Sequence, residues 1–365
     1  MIRLSLLQFR IQAITAAAVT AAFAVLLAAT GPHLASTHAA DGLDSCHGSS
    51  CTNLATYFTA SLARSPYGVL FLLSTGIILL APAVIGLFWG APLIARELET
   101  GSAALAWNQS VTRTRWLAVK LAIGSLTAMA VTEALSLMQT WWAVPISQAV
   151  ADGSGAGVAQ SRFSQLNFAT HGITPLGYAA FAFALGVTAG ALIRRTIPAM
   201  AVTLAIFAAL QVAMPLWVRP NLAPPDHTVI PVTSQGNSGP SQTGPGGDTF
   251  SLYAISIPGQ PGAWLLSSGP VNAAGQPVST TPAACTSVEG TSPSPGANQG
   301  ASPQGATTGP VAFLGCLASH GIREAITYQP ASRYLRFQAT ETAIYLALAL
   351  ALTGYCFRRL NHRLT

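Results

Sequence analysis

The sequence predicts an all-α polytopic membrane protein. It has six transmembrane helices, both termini inside (N-in/C-in), and a long Pro/Gly/Ser/Thr-rich outer loop between helices 5 and 6. Three observations predict this. Only 8% of the 365 residues are charged while 51% are hydrophobic, against about 25% charged in an ordinary soluble domain, so a water-facing surface could not be covered. The apolar residues gather into runs of about 20, enough to cross ~30 Å of hydrocarbon at about 1.5 Å per residue. The basic residues flank those runs unevenly.

The runs are residues 11–30, 67–94, 116–142, 175–193, 197–218 and 337–357. Arg3 and Arg10 precede the first. A cleaved signal peptide is the alternative there, but the apolar run is long and no small-x-small site follows it directly. The second run holds Pro82 and Pro92, either of which could break the helix. The third opens at Trp116 and contains Glu133. The fourth carries Gly186 and Gly190, a G-x-x-x-G spacing that in a span reads as close helix packing. The fifth follows the tight turn Arg194-Arg195, just before Pro198. The sixth ends at Arg358, Arg359 and Arg363, with Glu341 read as interfacial at its outer edge.

With the N-terminus inside, the inner segments hold eleven basic residues, including the chain's one lysine, Lys120. The outer segments hold six over many more residues. Arg333 and Arg336, beside the sixth run, point the other way. The net charge of +6 comes from arginines scattered singly and in pairs, so the basic partner surface is membrane lipid and not nucleic acid.

Domain organisation follows. Residues 1–218 form helices 1–5 with an inner loop at 95–120, residues 219–336 form an extracytoplasmic loop, and residues 337–365 form helix 6 and a basic tail. Between 231 and 310, 56 of 80 residues are Gly, Pro, Ser, Thr, Asn or Gln. Such a stretch buries too little apolar surface to offset its ordering entropy, which predicts a largely disordered loop. Residues 250–269 alternate as a short hairpin would, and residues 309–338 carry helical spacing. Cys46 and Cys51 lie in the first outer loop, Cys285 and Cys316 in the last. Four cysteines on the oxidising side suggest two disulfides, with Cys46–Cys51 and Cys285–Cys316 the simplest of three pairings; four free thiols are the alternative.

Nothing in the chain argues for catalysis. The lysine has no G-x-x-x-x-G before it, so there is no Walker A site. The seven histidines are dispersed without zinc spacing, no G-x-S-x-G elbow occurs, and no metal or cofactor is expected in this chain. The carboxylate of Glu133 inside a span is costly and so a functional candidate. With Ser136 and Thr140 it makes a polar stripe that either faces a substrate path or packs against a neighbouring span.

The inner loop 95–121, ARELETGSAALAWNQSVTRTRWLAVKL, is the densest polar segment. From the residues alone it is a cytoplasmic docking element or an interfacial helix whose arginines and Trp116 anchor the spans. It resembles the coupling region of ABC-2-type export permeases, where an acidic pair precedes Gly-Ser/Thr and a P/Q-[VS]-[ST]-R element precedes a lysine. The matching positions are Glu97, Glu99, Gly101, Ser102, Gln109, Thr112, Arg113 and Lys120. The segments QSVTRTRW (109–116), GYAAFAFALGVTAGALIRRTIPAMA (177–201), WVRPNL (217–222) and YQPASRYLRFQ (328–338) resemble actinobacterial ABC transporter permeases in particular. General members usually have Pro where Gln109 stands, and most have a far shorter outer loop.

The resemblance implies a half-transporter in the plasma membrane, without catalytic residues of its own. A second permease subunit would pair with it, as homo- or heterodimer. A separate cytoplasmic ABC ATPase, carrying ATP and Mg, would contact Glu97, Glu99, Gln109, Thr112, Arg113, Arg115 and Trp116, with Arg194 and Arg195 as a second contact or as membrane anchors. The competing readings are a membrane-anchored sensor or scaffold and, with less support, an ion-coupled secondary transporter. The latter needs paired intramembrane ionisable groups and often inverted repeats, and no inverted repeat is seen.

Overall fold

The structure, a computed structural model, describes residues 10–46, 49–99, 113–152, 161–233, 241–243, 249–252, 257, 260, 262–285 and 310–363. The chain divides into two units, Met1–Leu222 with Tyr334–Thr365, and Ala223–Arg333.

The first unit runs α1 (Arg10–Ala40), α2 (Ser49–Arg64), α3 (Pro66–Ile85), a π-helical turn (Gly86–Gly90) and α4 (Ala91–Glu99). It continues with α5 (Arg113–Trp142), α6 (Val144–Asp152), α7 (Gln165–Thr170), α8 (Thr174–Ile193) and α9 (Thr196–Ala213). A second π turn (Met214–Val218) and a 3-10 turn (Arg219–Asn221) end that course. After α10 (Pro310–Ser319) in the other unit, α11 (Tyr334–Arg363) completes the chain. Among the described residues, six helical stretches are long and apolar enough to cross a membrane: Arg10–Ala40, Pro66–Glu97, Thr114–Trp142, Thr174–Ile193, Thr196–Asn221 and Ala331–Arg359.

The fourth span, α8, is the hub. All but Leu176 of its residues from Thr174 to Gly190 are buried, and it packs against α3, α4, α5, α9 and α11. Its sequence permits this because small residues let backbones approach. A Cβ on Gly186 would lie 2.3 Å from the Gly86 carbonyl oxygen, and one on Gly190 would lie 2.4 Å from that of Ala91. The partner surface is the π turn, whose own Gly90 would place a Cβ 2.7 Å from the Phe183 oxygen. Pro82 and Pro92 do not break the second span. The helical course is kept through both, and the wide turn between them absorbs the mismatch. Large apolar side chains on the outer spans, among them Ile14, Leu73, Leu126, Ile197 and Leu350, are exposed, the surface expected of helices facing lipid.

The first helix is longer than its apolar run predicts. It continues past Thr30 to Ala40 because its second half still has something to pack on. Leu34 and His38 are buried, with the His38 ring edge-on to Phe58, and Trp142 Nε1 donates to Thr30 Oγ1 at 3.0 Å. The Cys46–Cys51 disulfide then turns the chain into α2, which packs on α6.

Within the segment expected to be largely disordered, the described residues of the second unit carry regular structure. Strands β1 (Asp226–Pro231), β4 (Trp264–Val271) and β5 (Arg323–Gln329) form an antiparallel sheet in the order β1-β5-β4, and β2 (Ser241–Thr243) pairs with β3 (Thr249–Ser251). Among the described residues of 250–269, where a hairpin is expected, the two ends pair with β2 and β5 and not with each other. Of residues 309–338, the first part is the helix α10, and the rest is the central strand and the start of α11. Composition misleads here because the few apolar residues converge. Val232, Phe250, Leu252, Phe313, Leu317 and Ile322 make one core with Cys285, and the Cys285–Cys316 disulfide fixes α10 to the segment after β4.

Candidate functional site

At the inner end of the first unit, the coupling segment is tied to two spans. Glu97, near the end of α4, forms an ion pair with Lys120 of α5. Lys120 is buried, its ammonium 4.5 Å from the centre of the Trp116 ring. Trp116 is itself buried among Ile94, Leu117 and Phe183. The indole of Trp116, expected at the ATPase contact, thus lies in the core between α4, α5 and α8. Arg115, one residue earlier, is exposed. Arg113 opens α5, and Gln109 and Thr112 lie outside the described residues.

Glu99 reaches the start of the fifth span. Its Oε1 accepts from the Thr196 backbone N–H at 2.9 Å and its Oε2 accepts from Thr196 Oγ1 at 2.7 Å. A carboxylate at a helix N-terminus caps unpaired N–H groups and complements the dipole. These two bonds, the side-chain one first, hold the Glu99 carboxyl below the usual glutamate range, and the Arg195 charge adds to the effect. Arg194, which closes α8, has φ 58°. A non-glycine residue held there carries about 1–3 kcal/mol of strain. Arg194 and Arg195 are both exposed. The α8–α9 turn is thus tight, strained and fastened to α4 through Glu99.

In the membrane-embedded part, the predicted polar stripe divides. Ser136 is buried and donates to the carbonyls of Gly172 at 2.8 Å and Thr170 at 3.1 Å. Thr140 Oγ1 accepts from the Gly172 N–H at 3.4 Å. Both therefore shape the turn that leads into α8. Glu133 does not join them: its Oε2 is buried without a hydrogen-bond partner.

The strongest polar cluster lies near the outer ends of the spans and was not read from the sequence. Arg219 and Glu341 are both fully buried and paired through two bonds, Nε to Oε2 at 2.9 Å and a guanidinium NH2 to Oε1 at 3.0 Å. Tyr178 of α8 donates to Glu341 Oε1 at 2.5 Å, and Arg219 stacks 3.9 Å over the Phe168 ring. Glu341 is thus not interfacial. Its carboxylate is drawn inward because Arg219 arrives on the turn after α9 and Gly177 lets α8 close on α11 at Thr342. The available signal was an arginine directly after one apolar run and a glutamate inside another.

Residues 17–219 match the family model described as ABC-2 membrane transporter related, a stretch from the first span through Arg219. No curated protein and no solved structure matches the chain. With more than half of its length so matched, the chain belongs to the ABC-2 membrane transporter related family.

Proposed function

We propose that this multi-pass permease is the membrane-spanning half of an ABC exporter in the plasma membrane. It would move its substrate with ATP hydrolysed by a separate cytoplasmic ATPase and pair with a second permease subunit. The family match across five spans carries this reading. The tethering of Glu99 to Thr196 supplies a route for force. An ATPase pressing on the 95–120 loop through Arg113 and Arg115, and through Gln109 and Thr112 between them and Glu99, would move α4. That motion passes to α5 through Glu97–Lys120 and to α9 through Glu99–Thr196. The acidic pair then transmits the push within the chain, and Arg194 and Arg195 sit at the turn that yields.

The test is co-purification of C-terminally tagged protein from its native host in mild detergent. Wild type is expected to bring down a Walker-motif ATPase, and the Arg113→Glu/Arg115→Glu variant, equally abundant and folded, is expected to lose it. No ATPase in either sample would overturn the exporter reading. One observation then favours a sensor or scaffold: the outer segment contains a folded sheet with its own core.

A further inference from the structure

A cavity of about 350 Å³ opens in the first unit, between the ends of α5 and α6 and the start of α11. On the N-in orientation that the arginines favour, this is the extracytoplasmic end. It lies at the lower limit of the ~300–1,000 Å³ that hold drug-sized ligands, so it takes one tail or one small molecule and not a whole two-chain lipid. Phe71, Val144, Ile146 and Leu335 give it apolar walls. Among the described residues, the lining contains one permanent cation, Arg162, and no carboxylate.

Two further observations mark it as built. Gln338, which is 1% exposed, spans the rim by donating to Tyr334 Oη and to the His171 carbonyl, both at 2.7 Å. Both bonds leave from its Nε2, which fixes the amide across the rim. The same amide occupies the space a side chain at Gly172 would need, its Oε1 2.1 Å from that Cβ position, and Gly172 has φ +70°. Ser136 and Thr140, the polar stripe of the third span, hold the Gly172 turn in place. His171 is mostly buried, and that burial first, then the nearby Arg162 charge, lowers its pKa, so at neutral pH Arg162 is the lining's charge.

We propose that this cavity binds a single-chain anionic amphiphile, its acidic head at Arg162 and its hydrocarbon tail along Phe71, Val144, Ile146 and Leu335. Charge and shape favour this class. Among the described lining residues Arg162 has no opposing carboxylate, so its charge attracts an anionic head and repels an ammonium one, and the apolar walls favour a hydrocarbon chain. The binding site stands on its own geometry. That such a molecule is also what the permease moves rests on the exporter reading.

The test is equilibrium binding of radiolabelled laurate to the full chain in phosphatidylcholine nanodiscs, with empty discs as the partition baseline. Saturable binding above baseline is expected, competed by unlabelled laurate and dodecylphosphonate and not by dodecylammonium. Arg162→Glu, at an exposed position, and Ser147→Trp, which fills the cavity, are each expected to weaken it at least tenfold. Arg64→Glu, an exposed arginine elsewhere, should leave it unchanged. Binding equal to the empty-disc baseline, equal competition by all three compounds, or wild-type affinity in Ser147→Trp overturns the proposal. No ATPase enters the assay, so its failure leaves the exporter reading standing, and loss of the exporter reading leaves this one.

Discussion

Replacing Glu341 by Gln tests the buried cluster most sharply. The amide keeps the shape and one acceptor for Tyr178, but it leaves the Arg219 guanidinium buried beside a neutral group. Breaking a buried ion pair by removing one partner costs about 3–5 kcal/mol, because the remaining charge is uncompensated. The retained acceptor and the Phe168 face 3.9 Å from the guanidinium place this case at the lower end, about 3 kcal/mol. At about 2–4 °C per kcal/mol for a domain of this size, the melting temperature should fall by about 6–12 °C. The double variant Arg219→Met/Glu341→Leu removes both charges and fills the space with hydrocarbon, so it should melt well above Glu341→Gln and near wild type. The assay is thermal unfolding of purified protein in detergent, followed by tryptophan fluorescence. A Glu341→Gln protein melting within a degree of wild type, or a double variant no more stable than the single, would refute the reasoning.

Two further outcomes follow from the inner end and the hub. Glu99 titrates below the ordinary glutamate value of 4.5, so its contribution to the α8–α9 turn is fully present above the unfolded-state pKa and is lost as pH falls through the lowered one. The protection factor of the Thr196 amide, its exchange rate corrected for the intrinsic pH dependence, should fall over that acid window in wild type, whereas Glu99→Ala should show low protection at neutral pH as well; equal Thr196 protection in both proteins at pH 7 would count against the tether. Gly186→Ala would put a methyl 2.3 Å from the Gly86 oxygen, whereas Gly76→Ala meets nothing within 4 Å. The first should lower stability by about 1–3 kcal/mol through overpacking, the second should raise it by up to about 1 kcal/mol through helix propensity, and melting curves of equal midpoint would contradict the packing account.

The six spans were legible because a run of about 20 apolar residues has few other uses. The fourth begins one residue from where the sequence places it, at Thr174 instead of position 175. The second was read through two prolines, and only the structure reveals the π turn that accommodates them. The tail of α1 beyond Thr30 was not legible, since its residues are helical through what they touch on α2 and α5. The same limit hid the buried cluster. Arg219 and Glu341 are 122 positions apart, and neither neighbourhood reveals that the two meet. Glu133 stood out by hydropathy alone, yet the polar groups beside it proved to serve the Gly172 turn. In the outer segment, composition averaged over 80 residues concealed the half-dozen apolar side chains that form a core.

The sheet order of the second unit bears on how the protein is made. Its middle strand, β5, is the last of the three to be synthesised, and β1 and β4 pair only with it. Neither outer strand has its sheet partner until residue 329 has emerged, nearly 100 residues after β1. Sheet closure therefore waits for almost the whole segment to be synthesised. Few of the residues in between are charged or strongly apolar, a composition that lets an unpaired strand wait without sticking to its neighbours. The Pro/Gly/Ser/Thr-rich composition is, on this view, suited to the interval between the synthesis of β1 and the closing of the sheet.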